Sequence, residues 1–119
     1  MVPMPKPEGN PGKLPVPVTA LVRSSVAEFS TQVVDCSPLG IELLSPRRLA
    51  ENERLGLTLK CTAVRGPGVS IHGDVQTCRE EAAGQYFVRL VFDPSGEAEK
   101  SLQNFLWEVE EAGRKRRRR

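Results

Sequence analysis

Asp35, Ser37 and Gly40 fall within six consecutive residues, Asp35-Cys36-Ser37-Pro38-Leu39-Gly40. The carboxylate brings acceptors, the hydroxyl brings an acceptor and a donor, and the glycine lets another group come close. That set could offer acceptors and a donor to the edge of a ligand. The same residue types also build a turn. Asp and Ser side chains bond to nearby backbone, Pro38 fixes φ and cannot donate, and Gly40 permits a left-handed backbone or a close approach. Local chemistry therefore supports both a tight connection between strands and a ligand-facing loop.

Little else in the chain has the makings of a reactive centre. The cysteines, Cys36, Cys61 and Cys78, are three in number and widely spaced, with no C-x-x-C. They read as reduced thiols acting as small apolar side chains. One histidine, His72, is too few for a metal site of the usual kind. It falls on the polar side of a strand-like run and reads as a surface imidazole. There is no Gly-rich phosphate loop and no nucleophile with a base beside it. Nothing here supports an enzyme, and no cofactor is implied.

The net charge of +2 hides an asymmetry. Six of the 17 basic residues fill positions 114–119, leaving 11 against 15 acidic ones, a formal −4 for the rest of the chain. Basic character thus lies in a tail that could attract nucleic acid or an anionic surface. Elsewhere the composition is that of one soluble domain with one core. No apolar run is long enough to span a bilayer. Met1 to Lys13 has no apolar h-region, so a cytoplasmic protein is expected. The domain plan is a Pro/Gly-rich arm at 1–13, a domain at 14–112 and the basic tail at 113–119.

The elements that must hold these residues follow from alternation. Leu14 to Arg23 reads as a first strand, starting at a sheet edge because of Pro15 and Pro17. A second runs from Phe29 to Val34 and a third from Ile41 to Leu44, with the six-residue motif between them. Leu55 to Cys61 and Val69 to Arg79 follow, the latter with Gly73 as a bulge candidate. Tyr86 to Asp93 is the sixth. Asp93-Pro94, or Ser95, reads as a helix start. Ala98, Leu102, Phe105, Leu106 and Val109 form an apolar stripe, with Trp107 expected to pack beside it and Gly113 as the stop. Glu108, Glu110 and Glu111 read as a solvated helix end able to pair with the tail. Six short strands at such spacing argue a mainly β fold, an antiparallel barrel or curled sheet with a C-terminal helix.

Asp35-x-Ser37-x-x-Gly40 between two strands, in a chain with this order of elements, resembles the second signature of the PilZ domain. The resemblance spans about residues 14–112. It implies a six-stranded antiparallel barrel with a C-terminal helix that binds the bacterial second messenger cyclic di-GMP. It further implies that Asp35, Ser37 and Gly40 are the ligand-binding residues. Binding-competent members also carry an Arg-x-x-x-Arg pair just before the first strand, suited to the O6 and N7 acceptors of guanine and to phosphate. This sequence has no arginine there. Lys13 stands near the second of those positions and Gly9 at the first, and a lysine lacks the guanidinium fork.

Each bidentate Arg–guanine contact is worth about 1–3 kcal/mol, so losing two costs roughly 30-fold to 10⁴-fold in affinity. Lys13, Arg47 and Arg48 are the candidate phosphate contacts, with the tail as a further source of cations. The resemblance thus implies either a weakened cyclic di-GMP receptor or a degenerate adaptor. The adaptor would act through a protein partner in a motility or pilus system.

Overall fold

A computed structural model describes residues 14–66, 68–92 and 96–117. Among them are six strands: β1 (Thr19–Arg23), β2 (Glu28–Cys36), β3 (Gly40–Ser45), β4 (Arg54–Lys60), β5 (Val69–Ala82) and β6 (Gln85–Phe92). One helix follows, α1 (Gly96–Arg117). All strand pairs are antiparallel, and the order β1-β2-β3-β6-β5-β4 closes on itself because β1 also pairs with β4. The mainly β barrel with a C-terminal helix is therefore the architecture the alternation implied. Closure leaves the sheet no unpaired edge.

Inward positions alternate as the pleat demands. Leu55, Leu57 and Leu59 on β4, Ile71 and Val75 on β5, and Val88 and Leu90 on β6 are all buried. The α1 stripe Leu102, Phe105 and Val109 joins the same core. The helix packs against β5.

Four details correct the sequence expectations. Residues 14–18 are not strand, although Val16 and Val18 are buried. Pro15 and Pro17 have no N–H to give a ladder, and pairing starts with the Val33 N–H donating to the Val18 carbonyl at 2.9 Å. Gly73 is in register with both Leu55 and Phe92; β5 slips against β6 between Val75 and Thr77 and again between Glu80 and Ala82, making Gln76 and Glu81 the extra residues. Gly113 does not stop the helix, which continues to Arg117. It is buried, and a Cβ there would run into the Pro15 ring. The glycine is a packing contact between α1 and the segment before β1. Trp107 is 64% exposed. Two residues on from Phe105 it lies roughly 200° around the helix, away from the stripe. The Asp93, Pro94 and Ser95 capping positions lie outside the described residues.

Candidate functional site

The motif is only partly a turn. β2 runs through Asp35 and Cys36, so Asp35 is a strand residue opposite Glu42. The register of β2 on β3 slips between Val33 and Asp35, leaving Val34 as an extra residue. A bulge bends its strand and re-aims the side chains beside it. The Asp35 carboxylate accepts the Cys36 N–H at 2.8 Å. Cys36 points inward, and its thiol is pushed up to about 12 by burial first and by the Asp35 charge second.

The turn proper is Ser37 to Gly40. The Ser37 N–H donates to the Gly40 carbonyl at 2.9 Å, and the Leu39 N–H donates to Ser37 Oγ at 3.2 Å. The Leu39 carbonyl accepts the Phe92 N–H at 2.9 Å, fastening the turn to the end of β6 just ahead of α1. Gly40 has a close-approach role, and its φ is not positive. A Cβ there would collide with the Leu90 carbonyl oxygen. Its missing side chain lets β3 and β6 approach.

Asp35, Ser37 and Gly40 line one cleft of about 220 Å³, together with Glu42, Gln76 and Arg89. Leu39 and Val91, 80% and 43% exposed, add an apolar surface at its rim. Arg89 donates from Nε and Nη2 to the same Glu42 oxygen, at 2.9 and 2.5 Å. Two carboxylates against one guanidinium give the lining a formal −1. Such a cleft has acceptors, donors and an apolar wall. Its volume lies below the roughly 300–1,000 Å³ of sites that enclose a whole small molecule.

The other candidates lie elsewhere. Arg47 and Arg48 follow β3 at the end opposite Gly40, and neither lines the cleft. The two ends are five residue steps apart, roughly 17 Å. Arg48 lies over the Tyr86 ring at 5.2 Å. Lys13 lies outside the described residues. In the tail, Arg114 pairs with Glu111 one helical turn back. No group of three or more metal-ligating side chains occurs among the described residues, and no described helix is long and apolar enough to cross a membrane. The three thiols are free.

Glu42, Gln76 and Arg89 were not evident as site residues. Alternation does turn Glu42 outward between Ile41 and Leu43, and Arg89 outward between Val88 and Leu90. Which strands lie side by side is set by closure, and Glu42 and Arg89 are 47 positions apart.

The family model described as the PilZ domain matches residues 11–107, well over half of the chain. No curated protein matches. Among solved structures, MrkH of K. pneumonia in its apo state superposes with a TM-score of 0.66 at 15% identity. The alignment covers 96% of this chain and 56% of that one, so this chain spans little more than half of MrkH. At that identity the likeness is one of fold.

Proposed function

The chain belongs to the PilZ domain family, a family of cyclic di-GMP-binding signalling modules, and from that premise we propose that it takes cyclic di-GMP in the cleft of Asp35, Ser37 and Gly40. The observation that carries this is the convergence of the three motif residues on one concave surface. The Asp35 carboxylate accepts from the N–H edge of a guanine. The Ser37 hydroxyl accepts from Leu39 N–H, and its own proton has no acceptor among the described residues, so it can donate to a ligand. The lining carries a net negative charge and the sequence has no arginine before β1. Affinity is therefore weakened, to tens of micromolar or weaker.

Transmission follows from the hydrogen bond between Leu39 and Phe92. A ligand that moves the Ser37–Gly40 turn pulls on the end of β6, which only three residues separate from α1. The output is a change in the surface around the helix, read by a protein partner. A calorimetric titration of cyclic di-GMP into the chain and into Asp35→Ala tests this reading. Saturable heat lost in the variant supports it; no heat from the parent up to millimolar ligand ends it.

A second reading is an adaptor that has lost nucleotide binding and works by protein contact, as in motility or pilus systems. One observation favours it. Trp107 stands exposed on α1 beside a groove of about 420 Å³ that also includes Val64 and Ala112. Exposed tryptophan is a common anchor of protein interfaces. Titrations in which the parent gives no heat, while a Trp107→Ala chain fails to bind a partner that the parent captures, select this reading.

A further inference from the structure

Four outward residues lie in one row across four strands: Asp35 on β2, Glu42 on β3, Arg89 on β6 and Thr77 on β5. Each end of the row is marked by an extra residue, Val34 in β2 and Gln76 in β5. Two bulges on either side of one short row bend their strands and increase the local twist there. The cleft lies over this row, and it contains Gln76 and Arg89 as well as the motif.

We propose that Arg89 is a ligand-reading residue of this cleft, donating to the O6 and N7 acceptors of a guanine whose N–H edge meets Asp35. The proposal rests on the nucleotide reading of the same cleft and supplies it with a guanidinium from within the barrel. Three observations carry it. A guanidinium has five N–H donors, and the recorded bonds use two, both on one oxygen of Glu42. The remaining donors belong to a side chain that is 52% exposed and lines the cleft. Glu42 is less exposed, at 23%, and acts as a fixed post that orients the fork.

The ligand class follows from charge and size. A lining with two carboxylates and one guanidinium is poor for phosphate and good for a neutral base with both donors and acceptors. Arg89 and Asp35 are two strand spacings apart, roughly 9–10 Å, leaving room for a base that spans them above Glu42. A cleft of about 220 Å³ takes one base, with the rest of a cyclic dinucleotide outside it. The exposed Arg89–Glu42 pair contributes little to stability, so Arg89 can be replaced without unfolding the barrel.

The test is calorimetric titration of the full chain, Arg89→Gln and Arg89→Lys with cyclic di-GMP and with cyclic di-AMP. The parent Arg89 Nε–H resonance is followed by NMR in parallel. The expected result is a loss of roughly 5- to 100-fold in Arg89→Gln for cyclic di-GMP. Lysine does not restore it, because it lacks the fork. Preference over cyclic di-AMP narrows, since adenine presents an amino donor where guanine has O6. The Nε–H resonance shifts with ligand. Parent binding that is unchanged in Arg89→Gln overturns the proposal and leaves the nucleotide reading standing. Equal losses for both dinucleotides overturn base reading in favour of phosphate contact. No binding by the parent overturns both. Melting temperatures of the variants within a few degrees of the parent confirm that folded proteins are compared.

Discussion

The two ends of β3 are built with the same turn chemistry and come out differently. At one end the Leu39 N–H donates to Ser37 Oγ at 3.2 Å; at the other the Arg47 N–H donates to Ser45 Oγ at 3.1 Å. Both are serine hydroxyls accepting from the backbone two residues on. Ser45 is 1% exposed and its own proton goes to the Arg47 carbonyl at 2.6 Å, so its hydroxyl is fully used within the chain. Ser37 is exposed. Beyond Ser45 two arginines are exposed, one of them over Tyr86. Beside Ser37 two bulged strands form a cleft. A serine turn alone therefore does not make a cleft, and the two arginines do not line the one beside the motif. The cleft lies where the neighbouring strands carry bulges, which bend a strand and raise its twist.

The largest expected effect that separates the two ends is Gly40→Ala. The new methyl meets the Leu90 carbonyl, a backbone atom that cannot swing away. The β3–β6 pairing must open, at a cost of about 1–3 kcal/mol or more, visible as a lower urea midpoint. An unchanged midpoint would mean that Gly40 is there for the ligand and not for the strand.

Next in size is a matched pair. Ser45→Ala leaves the Arg47 backbone without its buried partner and destabilises by about 1–2 kcal/mol, while cyclic di-GMP binding is unaffected. Ser37→Ala stays within about 0.5 kcal/mol of the parent in stability and weakens binding. If the two variants exchange these phenotypes, the contrast between the two turns is wrong.

The smallest effect is chemical. Cys36 lies inside the motif but points into the core, with a thiol pushed up to about 12 by burial and then by Asp35. The thiolate is the reactive form, so Cys36 resists alkylation at pH 8 in the folded chain. The folded pKa is raised above the thiol's ordinary value of 9.0. The folded state therefore holds this proton more tightly, and stability falls as pH rises from about 9 toward about 12. Alkylation as fast as that of an unfolded chain would place Cys36 on the ligand side of the motif.

Much of the barrel was legible because its signal is local. Leu55, Leu57 and Leu59 alternate with polar residues on a half-buried strand, and Val69, Ile71 and Val75 do the same. The failures have physical causes of three kinds. Residues 14–18 alternate like a strand, but two of them are prolines and burial of Val16 and Val18 needs no ladder. Gly113 has the residue type of a helix stop, yet Pro15, distant in sequence, sets its role. The Gln76 bulge is a mismatch between β5 and β6, and neither strand encodes it alone. The site divides the same way. Asp35, Ser37 and Gly40 are neighbours in sequence and were evident. Arg89 and Glu42 meet only when the barrel closes.

The most direct test of where this domain meets its ligand is a backbone amide chemical-shift map, recorded while cyclic di-GMP is titrated into the full chain. The account predicts shifts at Asp35 to Glu42, at Gln76 and at Arg89 to Phe92, with Ser45 to Arg48 unmoved. Shifts that centre on Arg47 and Arg48 and leave the motif unmoved would contradict it, because exposed cations on a loop would then be sufficient and the bulged cleft irrelevant.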